Sequence, residues 1–461
     1  MSIKNGIDKV VRLTKAEKKL YNKQQAKIRR QEQKQGKEDL NSMRDFTITD
    51  YYFSDGYRHV FPYHHTFKAF AKRRWLDRTI LDVLLSEFNM ASESLITERV
   101  KSGAIKVNNQ IISEEYKFKD LDLLEHRIHR HELPILDYKI AVIYEDDNLY
   151  VVNKPPSFPA HPCGVYGFNS LLTILGKEMG ENRLRLVHRL DRVTSGVMIF
   201  AKNYVLAKDL AQKIRSRQVA KYYLCLVDGN FCQLGNELVE VDKPIAALNK
   251  KMGLQWISSE GGKRAFTVFK PILYSEENDE TLVLCRIFTG RTHQIRVHLQ
   301  YLGYPIKKDP LYNSPAWGPS KGRNAEYTEP VDKLLQDINQ IRSHDPYYKF
   351  LSNEGERVEK RAKIDPKYFD QDCNLCKEST VSVNPPKESL MLHLHSYCYK
   401  ESEKTFTALP LPEWCQQFIE NSPAESETVV KRIDDSIMND FQDVEFDEHS
   451  SASEGELKKS T

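Results

Sequence analysis

The chain has 461 residues, 40% of them hydrophobic, with 68 Lys or Arg against 65 Asp or Glu and a formal net charge of +3. This length allows two or three domains with a sizeable core. No window approaches the ~18–20 consecutive apolar residues of a membrane span, and eight scattered cysteines do not make a secreted disulfide framework.

The start, MSIKNGIDKVVRLTKAEKKL, lacks the apolar stretch of a signal peptide. A cytoplasmic protein with reduced thiols is therefore expected, with the nucleus or the mitochondrion as alternatives. Residues 1–45 hold 13 Lys or Arg against 6 Asp or Glu, whereas residues 424–461 hold 11 acidic against 4 basic groups. Both ends read as solvated, disordered extensions.

Residues 46–75 are rich in aromatics. RTILDVLLSEF (78–88) carries apolar residues at helical spacing, and SESLITERVKSG (92–103) reads as a second helix with Ser92 as its cap. AIKVNNQII (104–112) reads as a hairpin about an Asn-Asn turn. Two helices and a hairpin, with Arg99 and Lys101 near the junction, suit a small RNA-docking module as well as they suit a plain α+β subdomain.

IAVIYE and LYVVN, joined by the turn Glu145–Asn148, open a second unit that runs from 131 to 423. An irregular Pro-rich stretch, PPSFPAHPCGVYG, leads to LVHRLDRVTSG (186–196) and the strand VMIFAK. NYVLAKDLAQKIRSRQ (203–218) is an amphipathic helix with Leu206, Leu210 and Ile214 on one stripe. Strands follow at YYLCLVDG (222–229) and LVLCRIFTG (282–290), then the helix HQIRVHLQYLG (293–303). Residues 313–388, rich in charge, Pro and turn signals, read as an insertion. LMLHLHSYCY and FTALPLP then return to the core.

Three stretches carry chemistry. In HRLD, Asp191 lies among His188, Arg189 and Arg192, immediately before a buried strand. Nearby guanidinium groups keep a carboxylate ionised, and an ionised, desolvated Asp can serve as nucleophile or base. Taken alone, the pattern is weak, and a turn aspartate paired with a surface Arg explains it better. The protein-kinase catalytic loop also begins this way, but no Gly-rich phosphate loop and no Asp-Phe-Gly accompany it.

In GRTHQIR, Gly290 permits a tight strand-to-helix turn and Thr292 can cap the helix, whose first amides form an anion site. His293 and Arg296 share one helix face, so Arg296 can aim inward while Arg291 stays near the mouth. In KYYLCLVDG, alternation puts Lys221 and Tyr223 on one face and Tyr222 and Leu224 on the other. Finally, Cys373-x-x-Cys376, with His393, His395 and Cys398 downstream, invites a zinc reading and with it a zinc-dependent hydrolase. Against that stand the absence of a second closely spaced pair and the core-strand character of the run holding both histidines.

Taken in order and spacing, LVHRLDRVTSGVMIFAK, VAKYYLCLVDG and FTGRTHQIRVHLQYLGYPI resemble the core motifs of RluA-type RNA pseudouridine synthases over roughly residues 139–312 and 390–412. The segment 76–112 resembles a divergent S4-type RNA-binding module. NKPPSFPAHPCG and DPLYNSPAWGPS look most like the eukaryotic group acting on uridine at position 32 of the tRNA anticodon loop. The resemblance implies an α+β fold: a mixed, mainly antiparallel sheet with flanking helices, preceded by a small S4-like module over 46–130.

It also implies isomerisation of uridine to pseudouridine with no metal or other cofactor. Asp191 is then the catalytic aspartate, Arg296 its ion-pair partner and Tyr223 the tyrosine against the base. Arg189 fills the gap left by a flipped uridine, and His188, Arg192, Arg291 and His293 join it in RNA binding. Flipping is required because a stacked nucleotide hides its glycosidic bond. An ordinary glycosidase would instead show two carboxylates a set distance apart. The family's usual Gly-Asp before Pro-Leu-Tyr stands here as Lys308-Asp309. An RNA partner, no membrane, no obligate protein partner and a monomer are expected. The competing readings are a non-catalytic RNA-binding factor of the same fold and a synthase directed at rRNA or mRNA.

Overall fold

A computed structural model describes residues 45–441 and 444, apart from 89–92, 181–182, 236, 251, 328–329, 345–355, 361–362 and 423–425. The basic N-terminal extension and the Ser92 cap lie outside the described residues. The chain divides into two compact units, one built on 62–130 with the residues before 51, the other on 51–61 and 131–461. The chain passes between the units at 50/51, 61/62 and 130/131. The strands β1 (Tyr51–Ser54) and β2 (Tyr57–Val60), placed by sequence with the first module, belong to the larger unit.

The smaller unit begins with β3 (Tyr63–Phe70), followed by helices α1 (Ile80–Phe88) and α2 (Glu93–Lys101). β4 (Ile105–Val107) and β5 (Gln110–Ile111) then form the expected hairpin, and β6 (Leu123–Arg130) closes a sheet of order β3-β6-β4-β5. Asn108 and Asn109 both have positive φ, 51° and 61°, the conformation a two-residue hairpin turn needs and asparagine tolerates. Trp75, Ile80, Val83, Leu84, Ile96 and Phe118 form this unit's core.

In the larger unit β7 (Ile135–Leu136) pairs with β2. Its main sheet starts with β8 (Ala141–Glu145) and β9 (Leu149–Lys154), a hairpin whose turn is fixed by Asp146 accepting from the Asn148 and Leu149 amides. β9 is buried on both faces, whereas β8 is the sheet's edge and leaves Val142 exposed, despite its apolar sequence. Next come α3 (Leu171–Met179), β10 (Arg185–Leu186), β11 (Ser195–Ala201) and α4 (Tyr204–Arg215), the last capped by the Asn203 side chain. β12 (Ala220–Asp228), β13 (Val239–Asp242), the hairpin β14 (Ile245–Asn249) with β15 (Leu254–Ile257), β16 (Phe266–Ser275) and β17 (Glu280–Ile287) follow.

Helix α5 (Gln294–Leu302) follows β17; α6 (Val331–His344), β18 (Arg357–Glu359) and β19 (Thr380–Ser382) lie within the insertion. β20 (Leu394–Lys400) and β21 (Thr405–Thr407) rejoin the sheet before α7 (Glu413–Glu420) and α8 (Ser426–Asn439). The sheet order is β13-β16-β17-β12-β20-β11-β9-β8, with β10 beside β11 and β21 beside β20. Every pair along this path is antiparallel except β11–β20, in agreement with the mixed, mainly antiparallel fold expected.

Each face of the sheet has its own core. Tyr222, Leu224 and Leu226 of β12 pack under α7 and α8, while Tyr223, Cys225 and Val227 pack with Ile295, Leu299 and Leu302 of α5. This is the alternation the sequence shows. The acidic tail corrects the reading of 424–461 as disordered. Val429, Ile433 and Ile437 recur every four residues and are buried in α8, which burial stabilises by roughly 1.5–3 kcal/mol per side chain. Net charge hid that stripe; most of the residues beyond 441 lie outside the described ones.

Candidate active site

A cavity of about 430 Å³ opens where the loop before β11 meets β12, β20 and the start of α5. Asp191, Arg189, His188, Lys221, Tyr223, Arg291, His293, Arg296 and Tyr399 all line it. Two motifs about a hundred residues apart in the chain are thus brought together, as the resemblance implies.

The Asp191 loop is held from behind. Thr194 N–H donates to the Asp191 carbonyl at 3.1 Å, closing a tight turn. The Lys154 ammonium, fully buried, donates to the carbonyls of Pro155, Phe158 and Arg192 at 2.8, 2.9 and 3.1 Å. Burial drives its pKa well below the ordinary value, with Arg192 adding to the effect. Gly196, at φ 116°, runs so close to β20 that a Cβ would fall 2.1 Å from the Ser396 carbonyl oxygen. The Thr-Ser-Gly signal therefore sets the one parallel strand contact, which fixes where Asp191 emerges.

On one side of Asp191 stands a charged wall. Arg296 Nη1 is 3.9 Å and His293 Nε2 is 3.7 Å from Asp191 Oδ2. The closer partner of Arg296 is Asp309, which it grips with two bonds of 2.7 and 2.8 Å. Burial works against the Arg296 charge, but Asp309 more than offsets it and holds the guanidinium above its ordinary pKa. Asp309 also accepts from the Leu311 and Tyr312 amides, and with Arg296 these bonds overcome burial to hold its carboxyl below the usual range. Lys308 takes φ 55° just before it, the left-handed conformation that glycine adopts without strain.

Helix α5 starts otherwise than expected. His293, in left-handed conformation at φ 56°, is the cap residue, in place of Thr292. Gln294 ties the turn together: its oxygen accepts from Thr289 Oγ1 and the Arg291 amide, and its nitrogen donates to the Phe266 carbonyl and Thr267 Oγ1. The Arg291 amide is thereby engaged in the turn itself. Gly290 has no left-handed φ, and a Cβ there would meet nothing within 4 Å; what its absence leaves is room in the cavity. Tyr312 Oη accepts from the Gln255 amide and lies 2.7 Å from His293 Nδ1; with the hydroxyl as donor, the imidazole proton is on Nε2, facing Asp191. Burial, aided by Arg296, lowers the His293 pKa to about 4, so the ring is neutral at pH 7.

The opposite wall is a neutral relay. The Ile199 amide donates to His188 Nε2, leaving the ring proton on Nδ1, 3.3 Å from Tyr399 Oη. Tyr399 Oη lies 3.1 Å from Tyr223 Oη. If each hydroxyl donates onward, the Tyr223 O–H points into the cavity. Burial, with the Lys221 charge, lowers the His188 pKa to about 3, and burial raises those of both tyrosines. Tyr399 reaches this wall through a β-bulge, where Tyr222 and Tyr223 of β12 face Cys398 and Ser396 of β20. The extra residue lets Tyr397 and Cys398 both face the core under α7 and α8 and turns Tyr399 to the other side.

The structure changes the reading of two groups that the sequence had put at the site. Arg192 turns away, its guanidinium over the Tyr166 ring, so it does not line the cavity; His188 lines it as a half-buried neutral ring and offers no charge to RNA. Arg189 and Arg291 are exposed at the rim, Arg291 bonded to the Arg264 carbonyl. His393, His395 and Cys398 do not join Cys373 and Cys376. His395 bridges Ser195 and the Ala408 carbonyl, His393 stacks on Trp414, and Cys398 lies in the core. Lys154, Gln294 and Tyr399 were missed as site residues, and Asp309 was read only as part of a turn.

Residues 148–301 match the family model described as RNA pseudouridylate synthase. Over 362 residues the chain is 33% identical to the yeast mitochondrial tRNA pseudouridine(32) synthase, covering 78% of this chain and 75% of that one. It is 30% identical over 414 residues to the yeast tRNA pseudouridine(31) synthase, covering 81% and 99%. It is 40% identical over 294 residues to the human pseudouridylate synthase RPUSD2, covering 64% of this chain and 53%, about half, of that relative. The chain belongs to the RNA pseudouridine synthase family, of the RluA type, and its chemistry is that of an isomerase.

Proposed function

We propose that this protein isomerises uridine in tRNA, at position 32 of the anticodon loop. The observation that carries the reading is Asp191 in the cavity, between the fixed Arg296–Asp309 pair and the Tyr223–Tyr399–His188 relay. A flipped uridine enters the cavity, and extrusion, which costs a few kcal/mol, is least demanding in a loop. Asp191 then either adds to the anomeric carbon or removes a ribose proton; the C1′–N1 bond breaks, the uracil turns, and C1′ bonds to C5. C5 loses a proton and N1 gains one, so no redox partner or carried group enters the balance.

Arg296 keeps Asp191 ionised while Asp309 keeps Arg296 in place. Tyr223, a neutral phenol, gives the base a hydrogen bond rather than a charge. Arg189, exposed at the rim, occupies the space the uridine leaves, and Arg291 contacts phosphate. The unit at 62–130, two helices followed by a hairpin, docks RNA in the manner of an S4 module. As the substrate, tRNA is favoured by both yeast relatives, which are tRNA pseudouridine synthases, and position 32 by the mitochondrial one.

The test is tritium release from tRNA carrying uridine labelled at C5. Wild type releases tritium and Asp191→Ala releases none; equal release from the two overturns the catalytic assignment. Chemical mapping of pseudouridine in RNA from cells lacking the protein tests the target, and retained modification at position 32 rejects it.

A further inference from the structure

The insertion contains a second cluster that the isomerisation does not use. Cys373 Sγ lies 3.4 Å and Cys376 Sγ 3.5 Å from His131 Nε2, and the three ligand atoms all fall within 4.8 Å of one another. The two thiols are not joined in a disulfide. A tetrahedral ion with Zn–S of about 2.3 Å and Zn–N of about 2.0–2.1 Å sets sulfur and nitrogen about 3.5 Å apart. The observed spacings therefore already match those of ligands around one ion.

The backbone supports the same geometry. Asn374–Lys377 is a single helical turn whose Cys376 and Lys377 amides both donate to the Cys373 carbonyl, at 3.1 and 3.2 Å. This carries the two sulfurs to the same side. The Lys360 ammonium donates to the Leu375 and Cys376 carbonyls at 3.1 and 2.6 Å, bracing the turn from behind. β18 and β19 pair on either side of it in sequence, with Val358 opposite Val381.

Among its described residues the region has the Tyr368 ring stacked on Phe61 but no apolar core of its own. Among the described residues from Arg357 to Ser382, Cys376 alone is buried. Two three-residue strands without an apolar core do not form a stable unit in water. Small units in this position depend on a disulfide, a metal or a larger neighbour. Two thiolates and an imidazole are soft and borderline ligands, the set that selects zinc over magnesium or calcium.

We propose that His131, Cys373 and Cys376 bind a structural zinc ion, with a fourth donor completing the tetrahedron. The ion staples the insertion to His131, the residue at which the chain re-enters the larger unit. It lies outside the cavity that holds Asp191 and takes no part in the isomerisation. The sequence argued against zinc because it paired the cysteines with His393 and His395; the fold supplies His131 instead.

The experiment uses the full chain, purified without chelator from cells supplied with zinc. Metal analysis is expected to give about one zinc per chain, the stoichiometry of one structural site. C373S/C376S is expected to lose it, while C163S, at an exposed cysteine elsewhere, keeps it. Should the double variant fail to fold, thiol titration of the wild type replaces it: chelation exposes two further reactive thiols and added zinc covers them again. Cobalt in place of zinc adds thiolate-to-metal absorption. Wild type without stoichiometric metal overturns the proposal. So does zinc retained in a folded C373S/C376S, or a Cys373–Cys376 disulfide in freshly purified protein. These readouts are independent of tRNA modification, so their failure leaves the reading of the active site untouched.

Discussion

The two walls of the cavity solve the same problem by different physics. The α5 wall buries an ion pair, with Asp309 at 0% side-chain exposure and Arg296 at 5%. The β12–β20 wall turns a neutral relay to the cavity, a histidine and two tyrosines joined by hydrogen bonds, beside the buried Lys221. A buried ion pair is costly to break, because the survivor is left charged without a partner; a neutral relay loses only a hydrogen bond. Asp191, between them, is held in its charged form by one wall and given a shaped, neutral surface for the base by the other.

The largest expected effect follows from that asymmetry. Asp309→Ala leaves Arg296 buried with only Asp191, 3.9 Å away, to offset its charge, and should lower unfolding free energy by about 3–5 kcal/mol in denaturant titrations. Turnover should fall with it, because Arg296 loses the carboxylate that aims it at Asp191. A loss below about 1 kcal/mol, the range of an exposed pair, would mean the wall is not held by charge.

Acid should come next, and it acts on both walls at once. His188 and His293 have folded pKa values lowered to about 3 and about 4, against 6.5 for an unfolded histidine. Between pH 4 and 6.5 the unfolded chain binds more protons than the folded one, so stability rises with pH across this window and is lost as pH falls through it. Lys221, lowered to about 8 by burial, extends the sign: stability should rise again as pH passes from 8 toward the ordinary lysine value. Thermal unfolding followed from pH 4 to 10 checks both windows, and a curve flat from 4 to 6.5 would mean these rings are not buried neutral.

A smaller effect is expected from Tyr399→Phe, which removes one hydroxyl from the neutral relay. It should cost about 1–3 kcal/mol, the price of leaving the His188 Nδ1–H without its acceptor. Turnover should drop with little change in KM, since Tyr223 keeps its place on β12 but loses the bond that orients its hydroxyl. A KM effect with unchanged kcat would assign the relay to binding instead.

Much of this was legible in the sequence. Periodicity placed β9, β11, β12, β17, α4 and α5 closely, because each is covered on at least one face and its apolar spacing reports that burial. HRLD and GRTHQIR pointed to Asp191, His293 and Arg296 because short motifs preserve local geometry. The misses share a cause: they depend on contacts distant in the chain. No spacing in LHSYCYK announces the bulge that turns Tyr399 toward Tyr223, and nothing near Cys373 names His131 as its neighbour, more than two hundred residues away. The acidic tail misled for another reason. Composition averaged over it concealed the apolar residues of α8 that face the core.

The smallest predicted effect tests how the charged wall is set by its backbone. Lys308 precedes Asp309 at φ 55°, where a side chain is strained by roughly 1–2 kcal/mol and glycine is not. Lys308→Gly removes that strain and adds backbone entropy to the unfolded chain worth about 0.5–1 kcal/mol. The net gain is then between about 0 and 1.5 kcal/mol, read as a small rise in Tm. Activity should not change, because the Asp309 bonds to Arg296, Leu311 and Tyr312 are made by a residue that keeps its own conformation. A loss of stability on this substitution would show that the Lys308 side chain stabilises the turn by more than its backbone strains it. The charged wall would then depend on a cation outside the ion pair itself.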